Sequence, residues 1–90
     1  MAGPGKILVE SIQRLLRRNA DRNLAKLLRR THAADIAVVF QSLSPADTIR
    51  LFRLIPEIEL QAESLSEADQ SSQRTLLNAL RDEELIELLK

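Results

Sequence analysis

Asp82, Glu83, Glu84 and Glu87 crowd four carboxylates into a short stretch near the end of the chain. Two kinds of chemistry suit such a stretch. At the start of a helix, carboxylates meet the positive end of the backbone dipole and stabilise it. Alternatively, they supply oxygen ligands to a hard divalent cation such as Mg²⁺, which keeps several of its own waters and rarely takes a full protein cage. Glu63 is a further candidate, standing with Glu57 and Glu59 on a short acidic segment. The candidate metal-ligating residues are therefore Glu63, Asp82, Glu83, Glu84 and Glu87, forming at most a weak Mg²⁺ site.

Other reactive inventories are missing. Catalysis needs positioned nucleophiles, bases and oxyanion donors, and this chain has no cysteine and a single histidine, His32. Glycine occurs only at positions 3 and 5, so no glycine-rich phosphate cradle can form. The expectation is a protein that is not an enzyme. His32 reads as a cap or loop residue, because no second His or Cys stands at metal-ligand spacing. Phe40 and Phe52, the only aromatic residues, fall on apolar stripes and read as core, not as a base-stacking platform.

Charge is balanced overall but unevenly distributed. Residues 1–30 hold Lys6, Arg14, Arg17, Arg18, Arg22, Lys26, Arg29 and Arg30 against Glu10 and Asp21, a net +6. Residues 31–90 carry a net −6. The basic third has two readings, a solvated face and a surface for phosphates or anionic membranes. With zero net charge and no nucleic-acid motif, a nucleic-acid partner is not expected.

The elements that must position these residues are helical. Leu8, Ile12, Leu15 and Leu16 form one apolar stripe, interrupted by Asn19-Ala20-Asp21. Leu24, Leu27 and Leu28 begin a second helix ending in Arg29-Arg30. Ile36, Val39, Phe40 and Leu43 mark a third, and Leu51, Phe52 and Ile55 a fourth that must stop near Pro56. Ile58, Ala62 and Leu65 predict a short fifth, Leu76, Leu77 and Leu80 a sixth, and Leu85, Leu88 and Leu89 a seventh. Leu, Ile and Ala dominate the apolar set, which favours helix over strand.

Helix starts carry their own signals. Ser44-Pro45-Ala46-Asp47 offers a hydroxyl to an orphan amide, a Pro with no amide to lose, and a carboxylate for the dipole. Ser66-Glu67-Ala68-Asp69 reads as a second copy and His32-Ala33-Ala34-Asp35 as a looser third. Repeated starts of this kind predict a stack of helical hairpins burying apolar stripes on their neighbours.

The 90 residues support one domain. Residues 1–5 read as a disordered lead and residues 6–90 as a single helical domain. The chain stops directly after an apolar stripe without a capping glycine, which predicts a piece of a longer protein. Apolar runs of a few residues fall far short of the ~20 needed to cross a bilayer, and the lead has no signal-peptide core. No membrane insertion by this segment and a cytoplasmic setting are expected.

Several of these segments, in order, resemble the intracellular N domain of MgtE-type magnesium transporters. They are Leu24-Ala25-Lys26-Leu27-Leu28, His32-Ala33-Ala34-Asp35-Ile36-Ala37, Leu43-Ser44-Pro45 and Leu51-Phe52-Arg53-Leu54-Ile55-Pro56. Ala62-Glu63-Ser64-Leu65 and Asp82-Glu83-Glu84-Leu85-Ile86-Glu87-Leu88-Leu89 are similar to the family's continuing steps, so the likeness covers roughly residues 20–90. Ala33 stands where the family usually has Pro. Residues 69–74 are more polar than the corresponding helix, which predicts looser packing there.

The resemblance implies an all-α, right-handed superhelix of six or seven short helices, a helical-hairpin solenoid similar to flagellar motor switch and HEAT-like folds. It also implies CBS domains of the same or a partner chain as neighbours, a homodimer formed through the parent protein, and Mg²⁺ shared at that boundary. Bridging Mg²⁺ would hold repelling acidic surfaces together and close the transporter when the cation is abundant. By motif, Glu63 stands nearest a family Mg²⁺-contacting position, and the family's other acidic positions fall beyond Lys90. The module also occurs beside CBS domains without a channel, so the implied location is cytoplasmic, either soluble or as the cytoplasmic part of an inner-membrane protein. The alternative is a helical adaptor that binds a protein partner and ignores metal.

Overall fold

The computed structural model describes residues 5–90, and within them the chain is all-α. The helices are α1 (Lys6–Arg17), α2 (Asp21–Arg29), α3 (Ala33–Phe40), α4 (Pro45–Leu54), α5 (Ile58–Glu67), α6 (Gln70–Ala79) and α7 (Asp82–Leu89). Residues 1–4 of the expected disordered lead lie outside the described residues, while Gly5 is the N-cap of α1.

Local chemistry accounts for the boundaries. At the end of α1, Asn19 adopts φ 56°, a left-handed conformation that its short polar side chain tolerates. Its amide donates to the Leu16 carbonyl at 3.1 Å and that of Ala20 to the Leu15 carbonyl at 3.0 Å. This is a Schellman closure, which satisfies two of the orphan carbonyls. At the start of α4, the Ser44 hydroxyl accepts from the Asp47 amide at 3.2 Å, with Pro45 at the first helical position, as the spacing predicts.

The second proposed start is a correction. Ser66 does not cap a helix; it lies inside α5, and α6 begins after Asp69 at its N-cap. The difference is one residue. Pro45 follows Ser44 and prevents the preceding helix from running on, whereas Glu67 follows Ser66 and lets α5 continue. The looser third copy has the expected boundary, with His32 at the N-cap of α3, although no side-chain bond forms there.

Packing is chiefly between alternate helices. α2 lies against α4 and α4 against α6, while α3 lies against α5 and α5 against α7; α1 joins by pairing with α2. The described helices thus lie in two rows, α2–α4–α6 and α3–α5–α7, in which alternate helices make most of the contact. The breaks explain this. Ile55, Ala68 and Leu80 follow α4, α5 and α6 in extended conformation, which turns the chain sharply between neighbours. All three are also buried, so the breaks belong to the core.

That core runs from Ile12, Leu16, Leu24 and Leu28 through Ile36, Val39 and Leu51 to Leu76. Phe40 and Phe52 are its largest members, with ring centroids 6.5 Å apart and tilted by 52°, as their stripes predict. The radius of gyration is 12.1 Å, close to the ~12 Å of a globule of this length.

One expectation fails in detail. Ile58, assigned to the apolar stripe of α5, is 41% exposed; the fully buried residue of that helix is Ser64. Around residues 69–74, Asp69, Ser71 and Ser72 line a hollow, in keeping with the looser packing expected there. Ser72 is buried, and the Gln73 amide donates to the Leu65 carbonyl at 3.0 Å, tying α6 to the end of α5.

Candidate functional site

The acidic start of α7 is shaped by α4. Arg53 reaches across to donate to the Glu84 carboxylate at 3.2 Å and to the Ala79 carbonyl, the last of α6, also at 3.2 Å. Glu84 further accepts from the Arg81 backbone amide at 2.9 Å, which is the carboxylate half of a capping box. The other half is absent in practice, because an arginine side chain has no acceptor. The bond from the Arg81 amide, helped by Arg53 and Arg81, holds the Glu84 carboxyl below the usual carboxylate range. Glu84 is thus an anchor between helices.

The remaining candidates divide into two groups. Asp82 and Glu83 are exposed in the first turn of α7, where the dipole alone accounts for them. Glu63 on α5 and Glu87 on α7 share one groove of about 500 Å³, whose lining also includes Ile58, Glu59, Ala62 and Leu88. Lys90 lies in the same groove and pairs with Glu87 at 3.0 Å. The structure therefore places Glu63 and Glu87 in one groove; Asp82 and Glu83 do not line it, although Glu83 stands one helical turn before Glu87. Glu59 is the groove carboxylate that the site reading missed, although its position one helical turn before Glu63 gave the signal.

Among the described residues no three His, Cys, Asp or Glu side chains converge as a metal would need. The groove offers carboxylates along its edge, not a cage. Mg²⁺ takes one or two carboxylates and keeps waters, so these residues amount to a partial donor set and not a complete site.

Beside the acidic groove lies an apolar one of about 320 Å³, lined by Ala62, Leu65, Leu77, Leu88 and Leu89 among others. Leu77 and Leu89 are 47% and 86% exposed there. A third hollow, of about 330 Å³, is polar and lies between the α3–α4 region and α6. Thr48, Ser71, Ser72, Thr75 and Asp69 line it, with one enclosed Asp69 carboxylate oxygen lacking a partner. These hydroxyls have no histidine or lysine base beside them in that lining.

Residues 31–90 match the family model described as the MgtE intracellular N domain. The chain belongs to that family. No curated protein and no solved structure matches it. The MgtE N domain match covers the helices from α3 onward, with both grooves, Glu63 and the whole of α7. It excludes α1 and α2 and the eight basic residues that precede residue 31. It also ties the chain to the N-terminal domain of MgtE-type magnesium transporters. No described helix of this MgtE N domain is long and apolar enough to cross a membrane.

Proposed function

We propose that this chain is a cytoplasmic regulatory domain of an MgtE-type magnesium transporter or a related CBS-containing protein. In this reading it senses Mg²⁺ at an acidic boundary with CBS domains of its own or a partner chain, and has no catalytic role. The parent protein would be a homodimer. The observation that carries the reading is the family match over residues 31–90, joined to a groove on that same segment with carboxylates from two helices.

The physics is simple repulsion and its relief. Glu59 and Glu63 on α5 and Glu87 on α7 face solvent at the groove. A second acidic surface brought against them meets like charge, which costs more as water is excluded. A divalent cation between the two surfaces reverses the sign of that interaction. Lys90 already offsets part of the charge of Glu87, which leaves Glu63 as the stronger candidate ligand.

An amide-resolved NMR titration with MgCl₂, set against NaCl of equal ionic strength, tests the reading. Saturable shifts at Glu63 and Glu87 that only Mg²⁺ produces are expected. Shifts that NaCl reproduces would remove this domain from the sensor and favour a second reading, a metal-independent helical adaptor. The apolar groove with Leu77 and Leu89 at its surface is the observation that supports that alternative.

A further inference from the structure

Lys6, Arg14, Arg17, Arg18, Arg22, Lys26, Arg29 and Arg30 are all exposed on or just beyond α1 and α2. Among the described residues none of them forms an ion pair. The nearby carboxylates do little to neutralise them, since Asp21 is held by Arg50 at 2.8 Å and Glu10 is left alone among the cations. On α1, Lys6, Glu10, Arg14 and Arg17 recur along the face opposite buried Ile12 and Leu16. On α2, Arg22, Lys26 and Arg29 do the same opposite Leu24 and Leu28. The exposed face of α1 also bears Ile7, 81% exposed in its first turn. The whole surface lies before residue 31, outside the segment that the family match explains.

We propose that the α1–α2 surface docks this domain on an anionic phospholipid bilayer, peripherally and reversibly. The arginines and lysines meet headgroup phosphates, and Ile7 settles at the boundary between headgroups and acyl chains, as apolar residues of interfacial helices do. Juxtaposed basic residues attract such a surface additively, and salt weakens the attraction within a Debye length. The net −6 of residues 31–90 is repelled by the same surface and turns α1–α2 toward it. Nucleic acid would use the same charges, but no aromatic side chain stands among them to stack a base. An exposed isoleucine gains nothing from a phosphate backbone.

Vesicle co-sedimentation of the full chain tests this, with phosphatidylcholine alone against phosphatidylcholine containing about one-third phosphatidylserine. Binding to the anionic vesicles is expected to be about tenfold stronger or more, and to fall steeply between about 0.05 M and about 0.3 M NaCl. The triple variant Arg14→Glu, Arg17→Glu, Arg18→Glu should return it to the neutral-vesicle level. A second triple variant, Arg22→Glu, Lys26→Glu, Arg29→Glu, should weaken it strongly. Ile7→Ser should weaken it several-fold with little change in salt dependence. Circular dichroism checks that each variant remains helical, and all seven altered side chains are exposed. Equal binding to both vesicles, or full retention by both triple variants, would overturn the proposal. Tighter binding to a DNA duplex than to anionic vesicles at matched salt would overturn it in favour of nucleic acid.

Discussion

Arg50 and Arg53, three residues apart on α4, make the same pair of contacts at two different turns. Each guanidinium donates to a carbonyl in the last turn of one helix and to a carboxylate in the first turn of the next. For Arg50 the partners are the Leu16 carbonyl at 2.7 Å and Asp21 at 2.8 Å; for Arg53 they are the Ala79 carbonyl and Glu84. One helix thus ties the α1–α2 turn and the α6–α7 turn into a single body. The fork shape of arginine is what allows two partners of different type to be held at once.

Arg50→Ala and Arg53→Ala are each expected to cost about 1–1.5 kcal/mol, since charge-assisted bonds are involved but the side chains are partly exposed. The double variant should be additive to within about 0.5 kcal/mol, because the two share no partner. Lysine at either position should recover less than half. Urea melts of these five variants would measure this, and strong coupling between the two sites would contradict the picture of independent grips.

Acid should weaken the α7 junction through Glu84. Its carboxyl is held below the ordinary value chiefly by the Arg81 amide, so the folded state favours the ionised form. The resulting stability is fully present above the unfolded carboxyl pKa of about 4.3. It is lost as pH falls through the still lower folded value. Glu84→Gln, which stands in for the protonated carboxyl, should flatten this part of the acid profile by lowering stability at neutral pH toward its acid value. Denaturant midpoints for both proteins between about pH 2.5 and about pH 6 test it.

Ser64 is completely buried and its hydroxyl has no partner. An enclosed, unsatisfied hydroxyl costs about 1–3 kcal/mol, and alanine is also the better helix former. Ser64→Ala is therefore expected to raise stability by roughly 0.5–1.5 kcal/mol. A thermal midpoint below that of the parent chain would show that the hydroxyl is bonded in solution.

Asn19 holds the left-handed residue that closes α1. Asn19→Gly should be neutral or slightly stabilising, whereas Asn19→Val should cost about 1–2 kcal/mol, because a β-branched side chain fits that conformation poorly. Equal stabilities of the two variants would mean that the turn relaxes to another geometry.

Much of the fold is legible in the sequence because its helices are short, amphipathic and individually marked. The stripe through Ile36, Val39 and Phe40 and the start at Ser44-Pro45 need no tertiary information. The error at Ser66 is instructive for the same reason. The local pattern resembled a cap, but only Pro45 in the first copy enforces a break, and Glu67 in the second does not. The roles of Arg50 and Arg53 were invisible, since their partners lie 26 to 34 residues away along the chain. The acidic candidates show the same limit. Glu84 resembles its neighbours in sequence, and only the arrival of Arg53 from α4 separates it from the solvent-facing Asp82 and Glu83. Glu63 and Glu87 share a groove because α5 packs on α7, a pairing that no local signal announces.

The buried breaks at Ile55, Ala68 and Leu80 have a consequence for how the chain tolerates change and attack. In most small proteins the connections between helices are the places where a protease cuts and where extra residues are accepted. Here each of those three connections seats one side chain in the interior, Ile55, Ala68 or Leu80. Drawing it fully into a protease cleft means pulling that side chain out of the core, even though neighbours such as Pro56, Glu57 and Arg81 are exposed. Limited proteolysis should spare them and fall first on the surface turn around Asn19. An added residue at position 55, 68 or 80 would swing every later helix out of its row, which makes the spacing between breaks as strict a requirement as the apolar stripes themselves.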